Sequence, residues 1–144
     1  MVDPLPGLMF AIPRRGYRVR MSAREISLVR QDGDGSCVIV LTGEHDLASV
    51  EELRAALDQA ASARSIVVDL SQTAFIDSAV LGALIASHRR AGEDGNRWAL
   101  VVGQGSGAAV RRILELTGLD AVMAVHASRE DALAEQFPSG SGMS

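Results

Sequence analysis

The chain contains no lysine and only one cysteine. Its 144 residues include 14 basic residues, all of them arginine, and the single thiol belongs to Cys37. One cysteine allows neither an internal disulfide framework nor a cysteine-based metal site, which fits a reducing compartment and predicts a cytoplasmic protein. Because Cys37 opens the apolar run Cys37-Val-Ile-Val-Leu41, we predict that it is a buried strand residue.

Charge and hydropathy argue against two further classes of protein. The net charge is −4, whereas proteins that bind nucleic acid display a basic face. No apolar run approaches the ~20 residues that a membrane-spanning helix requires.

The histidines lack metal-ligand spacing, and we find no supported Ser-His-Asp set. We therefore expect no metal, no cofactor and no catalytic residue, hence a protein that is not an enzyme.

The two ends of the chain differ in composition from the part between them. Residues 1–23 hold three prolines and four arginines, and we predict a loosely ordered N-terminal extension. The alternative is that translation begins at Met21. The arginines follow the apolar stretch instead of preceding it, unlike those of a signal peptide. Residues 138–144 have linker composition and predict a flexible tail. Residues 24–137 are predicted to form one domain.

Within that domain, strand patterns and helix patterns alternate. The order ββαβαβαβα predicts an α/β fold with a single layer of mixed, mostly parallel sheet flanked by helices. Residues 31–35 form a turn signal between the first two strands, so the opening hairpin adds an antiparallel edge. Strands are expected at residues 26–30, 37–41, 66–70, 98–102 and 122–125, and helices at 49–57, 78–91, 108–117 and 128–136.

Three smaller features carry local predictions. Ser49-Val-Glu-Glu52 has the form of a capping box that opens the first helix. Gly118 is the expected stop of the third helix. Asp69, near the end of the third strand, is expected to brace the turn that follows. His88 has helical spacing from apolar neighbours and is expected to be packed or half exposed.

The most informative stretch of the sequence is Ile66–Gly82. An apolar run leads through a short connection to Asp77 and Ser78, where a helix begins. Serine is a preferred N-cap because its oxygen accepts a backbone N–H. A helix N-terminus also carries partial positive charge and free donors, which suit a phosphate. The residues alone leave open whether Ser78 caps the helix or is modified there.

Several spaced motifs in this order resemble the STAS domain, the fold of bacterial anti-sigma factor antagonists. The resemblance covers residues 26–135. The motifs that carry it are Leu41-Thr-Gly-Glu-His-Asp46, Val68-Asp-Leu-Ser71, Phe75-Ile-Asp-Ser78 followed by Leu81-Gly82, and Ala109-Val-Arg-Arg-Ile-Leu-Glu-Leu-Thr-Gly-Leu119.

The resemblance implies a function in transcription regulation, of the kind that controls stress responses. In that family an anti-sigma factor with serine kinase activity phosphorylates the serine that matches Ser78, and a serine phosphatase removes the phosphate. The unphosphorylated antagonist binds the anti-sigma factor and frees the sigma factor. The implied partner surface consists of Glu44, His45, Asp46, Asp77, Ser78, Ala79, Val80 and Gly82.

Two alternatives remain beside this expectation. The family usually has a second hydroxyl and a glycine where this chain has Ala79 and Val80, and Val80 is expected to meet a docking kinase. These departures favour a STAS module that does not cycle through phosphate, an assembly subunit or ligand sensor in a lipid-transport or stress-signalling complex.

The second alternative is a nucleotide-binding regulator. The loop Gly103-Gln-Gly-Ser-Gly-Ala108 fits a G-x-G-x-x-A fingerprint, in which Gly103, Gly105 and Gly107 would let a pyrophosphate approach. Against it, the strand predicted at 122–125 is followed by His126 and not by an acidic residue.

Overall fold

Strands and helices alternate through residues 24–31 and 35–136, the part of the chain that the computed structural model describes. The predicted N-terminal extension (1–23), residues 32–34 of the predicted turn and the predicted tail (138–144) lie outside it. The described strands are β1 (Glu25–Gln31), β2 (Ser36–His45), β3 (Ser65–Ile76), β4 (Arg97–Val101) and β5 (Ala124–His126). The described α-helices are α1 (Val50–Ala60), α2 (Ser78–Glu93), α3 (Ala108–Thr117) and α4 (Arg129–Gln136), with short 3-10 turns at Leu47–Ser49 and Leu119–Ala121.

The sheet has the strand order β1-β2-β3-β4-β5. β1 pairs antiparallel with β2, and the other pairs are parallel, which confirms the predicted mixed sheet with an antiparallel edge. Each crossover moves one strand further in the same direction. Because such crossovers are right-handed, the helices they contain are carried to the same face of the sheet.

The core follows from this arrangement. One face of the sheet, with Ile39, Val68 and Leu100, packs in one cluster with buried residues of α1, α2 and α3. The opposite face packs Val67 and Val101 with residues of α4. Cys37 is fully buried, as predicted. Central strands that are buried on both faces require continuous apolar runs, which is the pattern the sequence contains.

β3 extends six residues beyond its predicted end, because it continues from Leu70 to Ile76. The polar residues in this extension concealed it, yet it pairs with β2 across two register shifts. At the first shift, between Val40 and Thr42, the hydroxyl of buried Thr73 donates to the carbonyl of Leu41 at 2.8 Å. This extension brings the start of α2 beside the end of β2.

Helix boundaries show which local predictions hold. α3 begins and ends as predicted, and Gly118 closes it with φ of 74°. The hydroxyl of Ser128 accepts from the Asp131 N–H at 3.1 Å and caps α4.

No helix of residues 24–31 and 35–136 has the length and apolarity to cross a bilayer.

Candidate functional site

Ser78 is the first residue of α2, and Asp77 is its N-cap. The backbone of Asp77 is extended (φ −107°, ψ −175°), and its carboxylate accepts from the Val80 N–H at 3.0 Å. The prediction left open that Ser78 is the cap, and the structure assigns that role to the residue before it. Both residues are good caps by type, but only Asp77 has the non-helical backbone that a cap needs. The Ser78 side chain is exposed and makes no hydrogen bond with the described residues.

The end of β2 lies beside this helix start. Glu44 is in register with Phe75, and His45 with Ile76. The exposed Asp46 follows directly, accepts from the Ala48 N–H at 3.0 Å, and pairs with Arg24 at 3.5 Å. The two segments therefore bring acidic residues at the end of β2 beside the end of β3, where Asp77 and Ser78 follow. We call this region, formed by Glu44, Asp46, Asp77 and Ser78, the serine edge.

His45 lies beneath the serine edge and not on it. Its ring is fully buried, with Nε2 at 2.9 Å from the Thr42 carbonyl and Nδ1 at 3.1 Å from the Ser49 hydroxyl. Burial lowers the pKa of His45, because desolvation penalises the charged imidazolium more than the bond to Thr42 supports it. The prediction that His45 contacts a partner is therefore corrected: the ring supports the turn from inside.

The predicted capping box at Ser49 is wrong for a related reason. The Ser49 hydroxyl is buried, lies against His45, and donates to the Asp46 carbonyl at 3.1 Å. It makes no capping bond to α1. Asp46 instead caps the 3-10 turn that precedes α1. This turn, which occupies Leu47–Ser49 directly ahead of α1, was not predicted.

Val80 also lies inside the protein. It is fully buried in the core, while Ala79 is half-buried and Gly82 is exposed. The expectation that Val80 meets a docking kinase is therefore corrected. The outer surface of the first turns of α2 consists of Ser78, part of Ala79, and Gly82, where an added Cβ would meet nothing within 4 Å.

Two large apolar side chains are exposed near the serine edge. Leu47 is 69% exposed and Phe75 is 41% exposed. Neither was predicted to contribute to the site. The exposure of Leu47 had a signal in the sequence, because this apolar residue lies in the short connection between Asp46 and Ser49. The exposure of Phe75 had none, because it depends on the register shifts of β3. Exposed apolar groups beside polar ones are typical of surfaces that bind proteins.

The Gly103–Gly107 loop packs on β3 at the same edge of the sheet. A Cβ at Gly105 would clash with the Ser71 carbonyl oxygen, and one at Gly107 with the Ala74 carbonyl oxygen. The N–H of Gly107 donates to the Thr73 carbonyl at 2.8 Å. The glycines thus permit close approach of the protein's own backbone, which removes the basis for reading them as a phosphate loop.

Side chains close the same loop further. The hydroxyl of buried Ser106 donates to the Leu70 carbonyl at 2.6 Å and accepts from the Gly103 N–H at 3.2 Å. Arg111 donates to the Gly103 carbonyl. The N–H groups of Gly103 and Gly107 and the Ser106 hydroxyl are therefore already bonded within the protein and are not available to a pyrophosphate.

The turn that Asp69 was predicted to brace is not formed, because β3 continues to Ile76; the Asp69 carboxylate instead bonds to the continuing strand and holds α4. One oxygen accepts from the Ser71 N–H at 2.9 Å, and the other accepts from Arg129 at 2.9 and 3.0 Å. Burial alone raises the pKa of Asp69, but the hydrogen bonds from Ser71 and Arg129 outweigh it and lower the pKa.

His88 packs edge-on against Trp98 with ring centroids 5.4 Å apart. The described residues contain no cluster of three or more His, Cys, Asp or Glu that could hold a metal ion.

Comparisons with known proteins give a consistent family. A family model described as "Mlab, STAS domain" matches residues 28–125. An anti-sigma factor antagonist from Mycobacterium paratuberculosis is 30% identical; the match covers 78% of this chain and 95% of that one, with a TM-score of 0.68. No curated protein matches the chain.

Two further solved structures bear on the fold. SpoIIAA in its unphosphorylated form is 24% identical, with 77% of this chain and 95% of that chain covered and a TM-score of 0.65. The Bacillus cell fate determinant SpoIIAA in its phosphorylated form is 23% identical, with 77% and 98% covered and a TM-score of 0.59. The fold described above is therefore that of anti-sigma factor antagonists.

Proposed function

Because this chain belongs to the STAS domain family, we propose that it is an anti-sigma factor antagonist controlled by phosphorylation of Ser78. In its unphosphorylated form it binds an anti-sigma factor through the serine edge and displaces the sigma factor. The anti-sigma factor is also the serine kinase that modifies Ser78, and a serine phosphatase restores binding. The protein acts by binding in the cytoplasm and carries out no catalysis.

The observation that carries this proposal is the free hydroxyl of Ser78. Asp77 satisfies the helix N-terminus, so the exposed Ser78 side chain is not needed for capping. Modifying it breaks no described hydrogen bond. A phosphate there would lie at the positive end of the α2 dipole, which stabilises an anion by about 0.3–1 kcal/mol. The free protein can therefore accept the modification without a change of fold.

Binding responds differently to the same phosphate. The group adds about −1.5 to −2 charges next to Asp77 and the acidic side chains of the serine edge. In a complex that buries this edge, a new charge without a partner costs about 2–5 kcal/mol. Since about 1.4 kcal/mol corresponds to a tenfold change in affinity, the complex would weaken by a factor of about thirty to several thousand.

The experiment that tests the proposal is an in vitro kinase assay. Each purified anti-sigma kinase of the source organism is incubated with the full chain and ATP, and mass spectrometry locates the phosphate. We expect phosphate on Ser78, and we expect Ser78→Ala to bind the kinase constitutively while Ser78→Asp does not bind. Equal binding of Ser78→Asp and the wild-type chain would contradict the proposed switch.

A second candidate function is favoured by one specific observation. The matching family model is described as "Mlab, STAS domain", and Ala79 stands at the position where a second hydroxyl is usual. These features support a STAS module that assembles with its partner without phosphate cycling, as in a lipid-transport complex. If no anti-sigma kinase phosphorylates Ser78 and none binds the chain, this second function replaces the first.

A further inference from the structure

A groove separates α1 from α2 on the helix-covered face of the sheet. It contains a depression of about 150 Å³. Apolar side chains and the buried Ser87 form its floor, and charged side chains form its border; those used below are Leu57, Ala83, Ala86, Arg54, Asp58 and Arg90. Leu57 and Ala83 are almost fully buried and Ala86 is exposed, so Ala86 is the most accessible apolar side chain of the floor.

The charges at the border of the groove do not cancel. Arg90 and Asp58 form an ion pair at 3.1 Å. Arg54 is exposed and has no ion pair or hydrogen bond among the described residues. The groove therefore carries one uncompensated positive charge over an apolar floor, in a chain whose net charge is −4. A ligand that complements it has a carboxylate and an apolar side chain close together.

The groove is continuous with the serine edge. Ala79, Ala83, Ala86 and Arg90 are three or four residues apart, so they follow one flank of α2. Ala79 directly follows Ser78, and the 3-10 turn that carries Leu47 contacts α2. At 1.5 Å of rise per residue, Ala86 lies about 12 Å along the helix from Ser78. A standard interface covers about 800 Å² on each partner, a patch about 16 Å in radius, so one partner reaches both places.

We infer that the α1–α2 groove is a second contact point for the anti-sigma factor, and that it binds a segment of that protein with a carboxylate opposite Arg54. An apolar side chain of the same segment fills the depression over Ala83 and Ala86. This inference rests on the proposed function, because it assigns the groove to the partner that docks at Ser78. It divides the interface into an acidic part, which phosphorylation switches, and a basic part, which it does not.

The test measures the affinity of groove variants for the anti-sigma kinase that phosphorylates Ser78, by isothermal titration calorimetry. Arg54→Glu places a like charge opposite the partner's carboxylate, and we expect the Kd to rise at least tenfold. Ala86→Gln keeps a good helix former but fills the depression, and we expect a rise of at least fivefold. Ser78→Asp is measured in the same series as a report on the serine edge.

Matched controls separate local effects from changes in net charge or helix content. Arg112→Glu changes the charge by the same amount on exposed α3, and Ala55→Gln makes the same replacement on the exposed side of α1, outside the groove. Both should bind within twofold of the wild-type chain, and circular dichroism should give all variants the same helix content.

The outcomes distinguish the two proposals. If Ser78→Asp loses binding while Arg54→Glu and Ala86→Gln bind as the wild-type chain does, the groove inference is wrong and the proposed function stands. If the wild-type chain binds no anti-sigma kinase, the proposed function is overturned and the groove inference falls with it. Equal weakening by Arg54→Glu and Arg112→Glu would also overturn the inference, because the effect would then come from net charge.

Discussion

Two connections from a strand to a helix lie at the same edge of the sheet, and they use the helix start differently. Between β3 and α2, the Asp77 side chain caps the helix and the Ser78 hydroxyl remains exposed. Between β4 and α3, Gly107 is the N-cap without a side-chain bond, and its own N–H is bonded to Thr73. The first connection has a free hydroxyl that can be modified, whereas the hydroxyl of the second, on Ser106, is buried and bonded.

The comparison shows why a glycine-rich sequence before a helix is a weak sign of phosphate binding. The glycines of the fingerprint at 103–108 allow another group to approach their backbone closely. In this protein the group that approaches is the backbone of β3 and not a pyrophosphate. What decides whether a helix start can serve a ligand is whether its donors and hydroxyls are still free.

The largest expected effect comes from placing a carboxylate in each connection. Ser106→Asp puts a buried charge against the Leu70 carbonyl, because the present hydroxyl donates to that oxygen. We expect the free energy of unfolding to fall by about 3–5 kcal/mol. Ser78→Asp should change it by less than about 0.5 kcal/mol, as exposed substitutions do. Urea unfolding followed by circular dichroism measures both. Similar losses in the two variants would contradict the contrast between the connections.

A smaller effect is expected from adding one methyl group to a glycine. Gly107→Ala forces a Cβ onto the Ala74 carbonyl oxygen and should destabilise the protein by about 1–3 kcal/mol. Gly82→Ala is the matched control, since its Cβ would lie in open space within a helix. That variant should gain about 0.5–1 kcal/mol. Differential scanning calorimetry should show the two Tm values changing in opposite directions, and a lower Tm for Gly82→Ala would contradict the open space around this position.

The assignment of the cap to Asp77 predicts a difference between neighbouring residues. Asp77→Ala removes the oxygen that accepts from the Val80 N–H, so unfolding should become easier by about 1 kcal/mol. Asp77→Asn keeps an accepting oxygen and should lose much less. Ser78→Ala should be close to neutral in the same urea titration. The reverse order, with Ser78→Ala the more costly change, would mean that Ser78 is the cap.

The smallest expected effect is the pH response of the turn that supports the serine edge. The pKa of His45 is below its usual 6.5 because the ring is buried. The unfolded chain therefore binds the proton more readily, and the contribution of His45 to stability, complete above pH 6.5, decreases as the pH falls towards the pKa of the folded state. Below pH 6.5, the free energy of unfolding should change less with pH in His45→Gln than in His88→Gln. Equal slopes would exclude His45 as the source.

Much of the fold could be predicted from local patterns. The alternation of apolar runs and helical spacing gave the element order, and the bounds of α3 and its stop at Gly118 follow from a regular pattern next to a glycine. The extension of β3 through Ser71–Ile76 could not be predicted in this way. Its residues are stabilised by pairing with β2 and by the bond from Thr73 to Leu41, which are contacts between distant parts of the chain.

The candidate site was predictable in position but not in orientation. The motif located Ser78 at a helix start, yet it could not separate two adjacent capping residues, because that depends on the backbone of Asp77. His45 and Val80 were placed on the surface, since a motif does not reveal which side chains turn inward. The ion pair between Asp69 and Arg129 joins residues 60 positions apart and has no local signal.

That ion pair has a consequence for anyone who shortens this protein. α4 covers the face of the sheet that the crossover helices leave open. Arg129 neutralises Asp69, which is only 3% exposed. In a fragment that ends before α4, the valine side chains that α4 covers would be exposed. The Asp69 carboxylate would be left without its cationic partner. Such a fragment should aggregate in solution, so a shortened version of this protein has to retain its last helix.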